Sequence, residues 1–176
     1  EQTNSRVQMN SFWQLLFSYK IADKNIFYLD FLVDDFIINN EEPDERDKYP
    51  DRLGIILKYS FIDFIINQSL NTFSYTRISN DTYTSKRNFE NYFYQLKGIG
   101  HPKNSYESIK FTSTYFGKFP RIYNFQIKFN REGESSLFSI FQEEKNNFPL
   151  EPVLYGIDLS GSTSHLIREK IRIFYE

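Results

Sequence analysis

The side chains with the most chemical potential cluster near the C-terminal end, where Asp158, Ser160, Ser162 and Ser164 precede His165. A histidine among serines and a carboxylate is the raw material of a hydrolytic triad, in which imidazole takes the hydroxyl proton and the carboxylate orients the ring. Triads are spatial arrangements, however, and no Gly-x-Ser-x-Gly elbow surrounds these serines. The other histidine, in Gly100-His101-Pro102, reads as a structural loop residue. Asp34 and Asp35 are adjacent and face different directions on a helix or a strand, so they cannot serve one substrate as acid and base. Pro43-Asp44, Pro50-Asp51, Glu143-Glu144-Lys145 and Glu169-Lys170 hold the residue types of a metal-dependent nuclease, two carboxylates beside a lysine. About ninety residues separate the Pro-Asp pairs from the first acidic-lysine triplet, and surface charge accounts for both. With no cysteine, the chain has no disulfide, thiolate metal site or cysteine nucleophile, and two histidines are too few for most transition-metal sites.

One string has a family likeness. Tyr155-Gly156-Ile157-Asp158-Leu159-Ser160-Gly161-Ser162-Thr163-Ser164 resembles the first phosphate-binding loop of the actin-like ATPases and sugar kinases. In those families an aspartate ends a strand and a small glycine- and hydroxyl-bearing turn offers backbone amides to phosphate. The resemblance covers about ten residues, and there the loop opens a domain, whereas here thirteen residues follow Thr163. The expectation is a Gly/Ser turn between two C-terminal strands.

Binding surfaces are better supplied than catalytic ones. Arg168, Lys170 and Arg172 form a basic stripe, and Lys110 and Lys128 sit on other expected strands. Were these strands neighbours, one sheet face would carry several cations interleaved with Tyr and Thr, suited to an acidic partner, a phospholipid headgroup or single-stranded nucleic acid. An acidic run, Glu41, Glu42, Asp44, Glu45 and Asp47, could instead mimic or mask a basic site on a protein partner. The net charge of −2 and pI of 5.8 argue against broad nucleic-acid binding, which needs a basic surface to displace counterions.

These residues need a scaffold. A chain of 176 residues fits one domain, 1–176, able to bury roughly 70% of the surface it would expose unfolded. Phenylalanine and tyrosine, 19 and 13 in number, outweigh a lone alanine, Ala22, as AT-rich codon usage would produce. The longest hydrophobic stretches, 26–38 and 53–66, fall short of the ~18–20 residues of a spanning helix and are broken by charges. A polar start at Glu1, without methionine, favours an exported protein over a cytoplasmic one.

Met9, Phe12, Trp13, Leu16 and Lys20 recur at helical spacing, as do residues along 50–68 and 85–98; 26–38 fits a helix or a bent strand. After Gly100 the period changes to two: Ile109, Phe111, Ser113 and Tyr115, then Tyr123, Phe125, Ile127 and Phe129, joined by a turn at 116–120. Residues 135–146 allow either a helix or a strand. A strand over 153–159 and a last one over 166–175 complete the expected fold. It is α+β, a helical half (8–98) packed on one face of an antiparallel sheet (106–176).

The functional expectation is a protein-interaction module that is neither an enzyme nor a cofactor protein, exported to the periplasm or cell surface. The alternatives are an intracellular acidic inhibitor of the immunity type and a carrier with an aromatic cavity for a small ligand or lipid. The protein partner and the oligomeric state stay unidentified.

Overall fold

The computed structural model describes residues 12–34, 52–63, 66–80, 82, 93–94, 97–98, 101–118, 121–133, 148–168 and 171–175. Aromatic and β-branched residues dominate these segments, and such side chains lose least on a pleated surface. They form one antiparallel meander. Its strands are β1 (Phe12–Ala22), β2 (Asn25–Asp34), β3 (Leu53–Ile62), β4 (Ser69–Ile78), β7 (Tyr106–Phe116), β8 (Arg121–Gly133), β9 (Val153–Arg168) and β10 (Ile171–Tyr175), in that spatial order. Seven strands are 10 to 16 residues long, and β10 adds a five-residue edge. A separate ribbon pairs β5 (Phe93–Tyr94) with β6 (Lys97–Gly98).

The expected helical half is therefore wrong: among the described residues there is no helix, and the chain is all-β. The three-and-four spacing that suggested a first helix mixed residues from two faces. Trp13 shares a face with Leu15, Phe17 and Tyr19, whereas Leu16 and Lys20 point the other way. The segment 26–38, read as a helix or a bent strand, supplies most of β2, the segment 50–68, read as a helix, supplies β3, and the described part of 85–98 is the β5–β6 ribbon. The β7–β8 hairpin matches its period-two pattern. The expected turn at Ser160–Thr163 is instead the middle of β9, which runs through to Arg168. Residues 135–146 lie outside the described residues.

Connections alternate in length. At one end of the sheet, residues 23–24, 63–68, 117–120 and 169–170 link strand pairs; at the other, 35–52, 79–105 and 134–152 do so. At the short-turn end, the Asp63 carboxylate accepts the Gln68 amide at 2.6 Å and the Lys24 ammonium at 3.0 Å. The Lys24 hydrogen bond first, then the Gln68 amide, holds the Asp63 carboxyl below its ordinary pKa.

Little apolar surface is buried. The fully buried hydrophobic residues among those described are Leu32, Ile78 and Tyr106. They lie in one cross-strand row near the long-loop end, with Gly54 between Leu32 and Ile78. A side chain at Gly54 would meet Ile78 Cδ1 at 3.0 Å and Leu32 Cβ at 3.2 Å, so the missing Cβ is what lets these two pack.

Beside this row, a buried polar knot fastens the stems of the long connections. The Ser105 hydroxyl donates to Asn80 Oδ1 at 2.9 Å and accepts the Leu150 amide at 2.8 Å, while the Ser105 carbonyl accepts the Gly133 amide at 2.8 Å. Asn104 Nδ2 donates to the Asn80 carbonyl at 2.8 Å, and the Ser79 hydroxyl accepts the Leu53 amide at 2.7 Å. Asn104, Ser105 and Thr82 are at most 2% exposed, so these bonds replace lost water.

His101, next to the knot, stacks on Tyr106 with centroids 5.0 Å apart. Burial pushes its imidazole below the ordinary 6.5, opposed by a backbone hydrogen bond with Lys103. The neutral ring is thus the folded form. Its stabilising contribution is complete above the unfolded value and is lost as pH falls through the depressed folded one. In a pH titration by NMR, we expect the His101 ring signals to turn over below pH 6.5 and the 101–106 amides to exchange faster on the acid side. A midpoint at or above 6.5 would contradict this placement.

Candidate functional site: two opposed faces of one sheet

Residues directly opposite one another in an antiparallel pair share a face, so the register sorts every strand residue. One face carries Trp13, Leu15, Phe17 and Tyr19 on β1, then Phe27, Leu29, Phe31 and Val33 on β2, and Leu53, Ile55, Leu57, Tyr59 and Phe61 on β3. It continues through Phe73 and Tyr75, Ile109, Phe111 and Tyr115, and Tyr123, Phe125, Ile127 and Phe129, to Tyr155, Ile157 and Leu159 on β9. The opposite face carries Gln14 and Ser18, Asp30, Lys58 and Ser60, Thr72, Ser74 and Thr76, Ser108, Lys110, Thr112 and Thr114. On β8 and β9 it presents Asn124, Gln126, Lys128 and Asn130 beside Asp158, Ser160, Ser162 and Ser164.

The apolar face is uncovered. Trp13 is 65% exposed, Leu15 60%, Ile157 67% and Leu159 66%, and large hydrophobics of that face are exposed on β1, β3, β4, β7, β8 and β9, while those of β2 are half-buried. On the polar face Asp30, Ser74, Ser108 and Ser164 are buried. This inverts a water-soluble sheet, whose apolar face is the one hidden.

Polar side chains on the apolar face find one another. Asn71 accepts from the Ser113 hydroxyl at 2.8 Å and donates to Ser69 Oγ at 3.0 Å near the short-turn end, where the Tyr59 hydroxyl also donates to Asn25 Oδ1 at 3.0 Å. At the long-loop end, Arg77, Glu107 and Arg131 occupy one cross-strand row. The Glu107 carboxylate accepts the Tyr75 hydroxyl and Arg131 Nε, both at 2.5 Å, and Arg77 and Arg131 lie against the Phe148 ring. The apolar band is thus bounded by paired polar groups at both ends.

The polar face is hydrogen-bonded laterally. Gln14 donates to Asp30 at 3.0 Å, the Ser60 and Thr72 hydroxyls meet at 2.9 Å, and Thr114, Asn124 and Ser162 form a chain with links of 2.9 and 3.2 Å. Three lysines and an aspartate lie in one row, where Tyr28, Lys58, Ser74, Lys110, Lys128 and Asp158 are successive register partners; Lys20, Asp30 and Glu132 of the same face stand in other rows. Lys128 is ion-paired with Asp158 at 2.5 Å, and the Lys58 ammonium sits 5.0 Å over the Tyr28 ring.

The candidate residues read from sequence meet different fates. Lys110 and Lys128 are direct partners on one face. Arg168 and Arg172 have backbone places at the β9–β10 end, and Lys170 lies outside the described residues. Glu41, Glu42, Asp44, Glu45 and Asp47 also lie outside them. His165 is on the opposite face of β9 from Asp158 and the three serines, so that neighbourhood in sequence does not assemble in space. With Ser160–Thr163 in mid-strand, the string resembling a phosphate loop makes no turn. Lys58 was missed because its segment was read as a helix; Leu57, Tyr59 and Phe61 alternating with Lys58 and Ser60 carried the signal.

Among the described residues, no helix is long and apolar enough to cross a membrane and no three His, Asp or Glu side chains converge on a metal-sized site. Comparisons with protein-family models, curated proteins and solved structures find no match for this chain.

Proposed function

We propose that this sheet is part of the wall of a transmembrane β-barrel of the outer-membrane type, its apolar face against lipid and its polar face lining the lumen. The observation that carries the reading is the inverted sheet: an apolar face that spans seven consecutive strands and is exposed on six of them, backed on β4, β7, β8 and β9 mainly by Ser, Thr, Asn, Gln and Lys. Such barrels cross the bilayer with about 9–11 tilted residues per strand, apolar outward and polar inward. From Leu53 to Phe61 the band runs about 27 Å along the strand, roughly 20 Å high at a ~40° tilt. Short turns at one end and long connections at the other are the further habit of these proteins, as are aromatic side chains near the band's limits.

Hydrocarbon offers backbone groups no partners, so a spanning sheet must be closed. Among the described residues β1 and β10 are each paired on one side, and the proposed barrel has both edges joined to strands.

The chain lacks cysteine, so single cysteines report cleanly. Spin labels placed one at a time from position 109 to 113 should alternate once the protein is folded into lipid vesicles. Odd positions would collide with oxygen dissolved in the bilayer, even ones with a water-soluble nickel chelate. Failure to insert, or water access at both parities, would reject the barrel. The latter result would return the apolar face to the protein-partner reading.

A further inference from the structure

We infer that the lysine row on the polar face makes the lumen selective for small anions; this rests on the barrel reading above. Lys58, Lys110 and Lys128 lie within four adjacent strands of one row, and Lys110 and Lys128 are direct partners. Like charges directly opposite each other weaken a sheet. A structural role would place an acid at one of the two positions. Asp158 serves Lys128 from the far side, but apart from Lys128 every residue flanking Lys110 on this face is uncharged: Ser74 opposite it on β4, Ser108 and Thr112 along its own strand, Thr72 and Thr76 diagonally on β4, Gln126 and Asn130 diagonally on β8. Of the other acids described on this face, Asp30 accepts from Gln14 and Glu132 is paired with Lys103. The row Lys58 to Asp158 therefore carries three cations against one anion, set among hydroxyl and amide donors.

That chemistry suits chloride, phosphate or a small carboxylate passing along the wall. Cations in a low-dielectric enclosure raise the local anion concentration, and rings of Lys or Arg select anions in known pores. A nucleic acid or acidic protein is a poorer fit, because the row lies mid-strand on the lumen face, away from both sets of connections.

The test places one cysteine at Thr112, the next position toward the short-turn end on the same face as Lys110, in the full chain folded into neutral lipid vesicles. Its modification rate is measured with anionic, cationic and uncharged methanethiosulfonate reagents, the last correcting for access. The anionic reagent should react about tenfold faster than the cationic one. Lys110→Gln with Lys128→Gln should bring the ratio close to one, as should 1 M salt, where the Debye length falls to about 3 Å. Equal rates in the parent, a ratio insensitive to the two substitutions, or no reaction with any reagent would overturn anion selectivity. Phe111→Cys reacting as fast as Thr112→Cys would instead overturn the barrel beneath it.

Discussion

Phe111→Arg should cost about 2–4 kcal/mol of stability in a bilayer, while Thr112→Arg, one residue away, should cost little. The two positions share strand β7 and differ in the face they occupy. Phe111 stands between Phe73 and Ile127 in the apolar band, and Thr112 between Thr72 and Gln126 on the polar face. A guanidinium at the centre of the band has no water and no acid among its neighbours on that face to receive it, whereas a lumen position leaves it solvated. Were both faces in water, both substitutions would fall within about ±0.5 kcal/mol, the range of ordinary surface changes. Urea titration of folding into lipid vesicles measures the difference. Trp13, the sole tryptophan, reports it from the apolar face, where its emission should shift to the blue on insertion. Equal stability of the two variants would remove lipid from the account of that face.

The same opposition of faces explains which parts of the fold were legible in the sequence. Ile109–Tyr115 and Tyr123–Phe129 alternate cleanly because the polar side of that hairpin is Lys, Thr, Asn and Gln, so period two is unmistakable. On β1 to β3 the polar face also holds Leu16, Ile26, Leu32 and Ile56, and these extra apolar residues create three-and-four spacings that imitate a helix. Tertiary pairing decides against that pattern: β2 is bonded on both sides along nearly its whole length. The scarcity of alanine pointed the same way, although base composition offered a simpler explanation. Mean hydropathy is blind to such a face, because a strand that is apolar on alternate residues has a modest mean. The lysine row was half visible. Lys110 and Lys128 could be placed on expected strands, but Lys58 needed the β3 register, and the uncharged surroundings of Lys110 exist only once β4, β7 and β8 are side by side.

Among the glycines whose surroundings are described, Gly133 should be the one where a methyl group does most damage, with Gly133→Ala costing about 3 kcal/mol. Gly133 closes β8 where the polar knot ties down the long connections. A Cβ there would stand 2.2 Å from Ser105 Oγ, 2.4 Å from the Leu150 carbonyl oxygen and 2.6 Å from the Leu150 nitrogen. Two of these atoms are backbone, so no side-chain rotation relieves the clash. Moving Ser105 or Leu150 instead breaks the hydrogen bonds that Ser105 makes with Asn80, Leu150 and Gly133, leaving buried polar groups unpaired at about 1–3 kcal/mol each. Gly161→Ala is the matched control, since a Cβ there meets nothing nearer than the Asn124 carbonyl oxygen at 3.7 Å. The damage from Gly133→Ala should be confined to the long-loop end, because the apolar band and the lysine row lie further along the strands. Protease added outside folded vesicles should cut the Gly133→Ala chain within 79–105 and 134–152 before the parent. Trp13 emission should stay that of the inserted state until urea is raised. If Gly133→Ala and Gly161→Ala matched in both urea midpoint and cleavage, the knot would not be what anchors those connections.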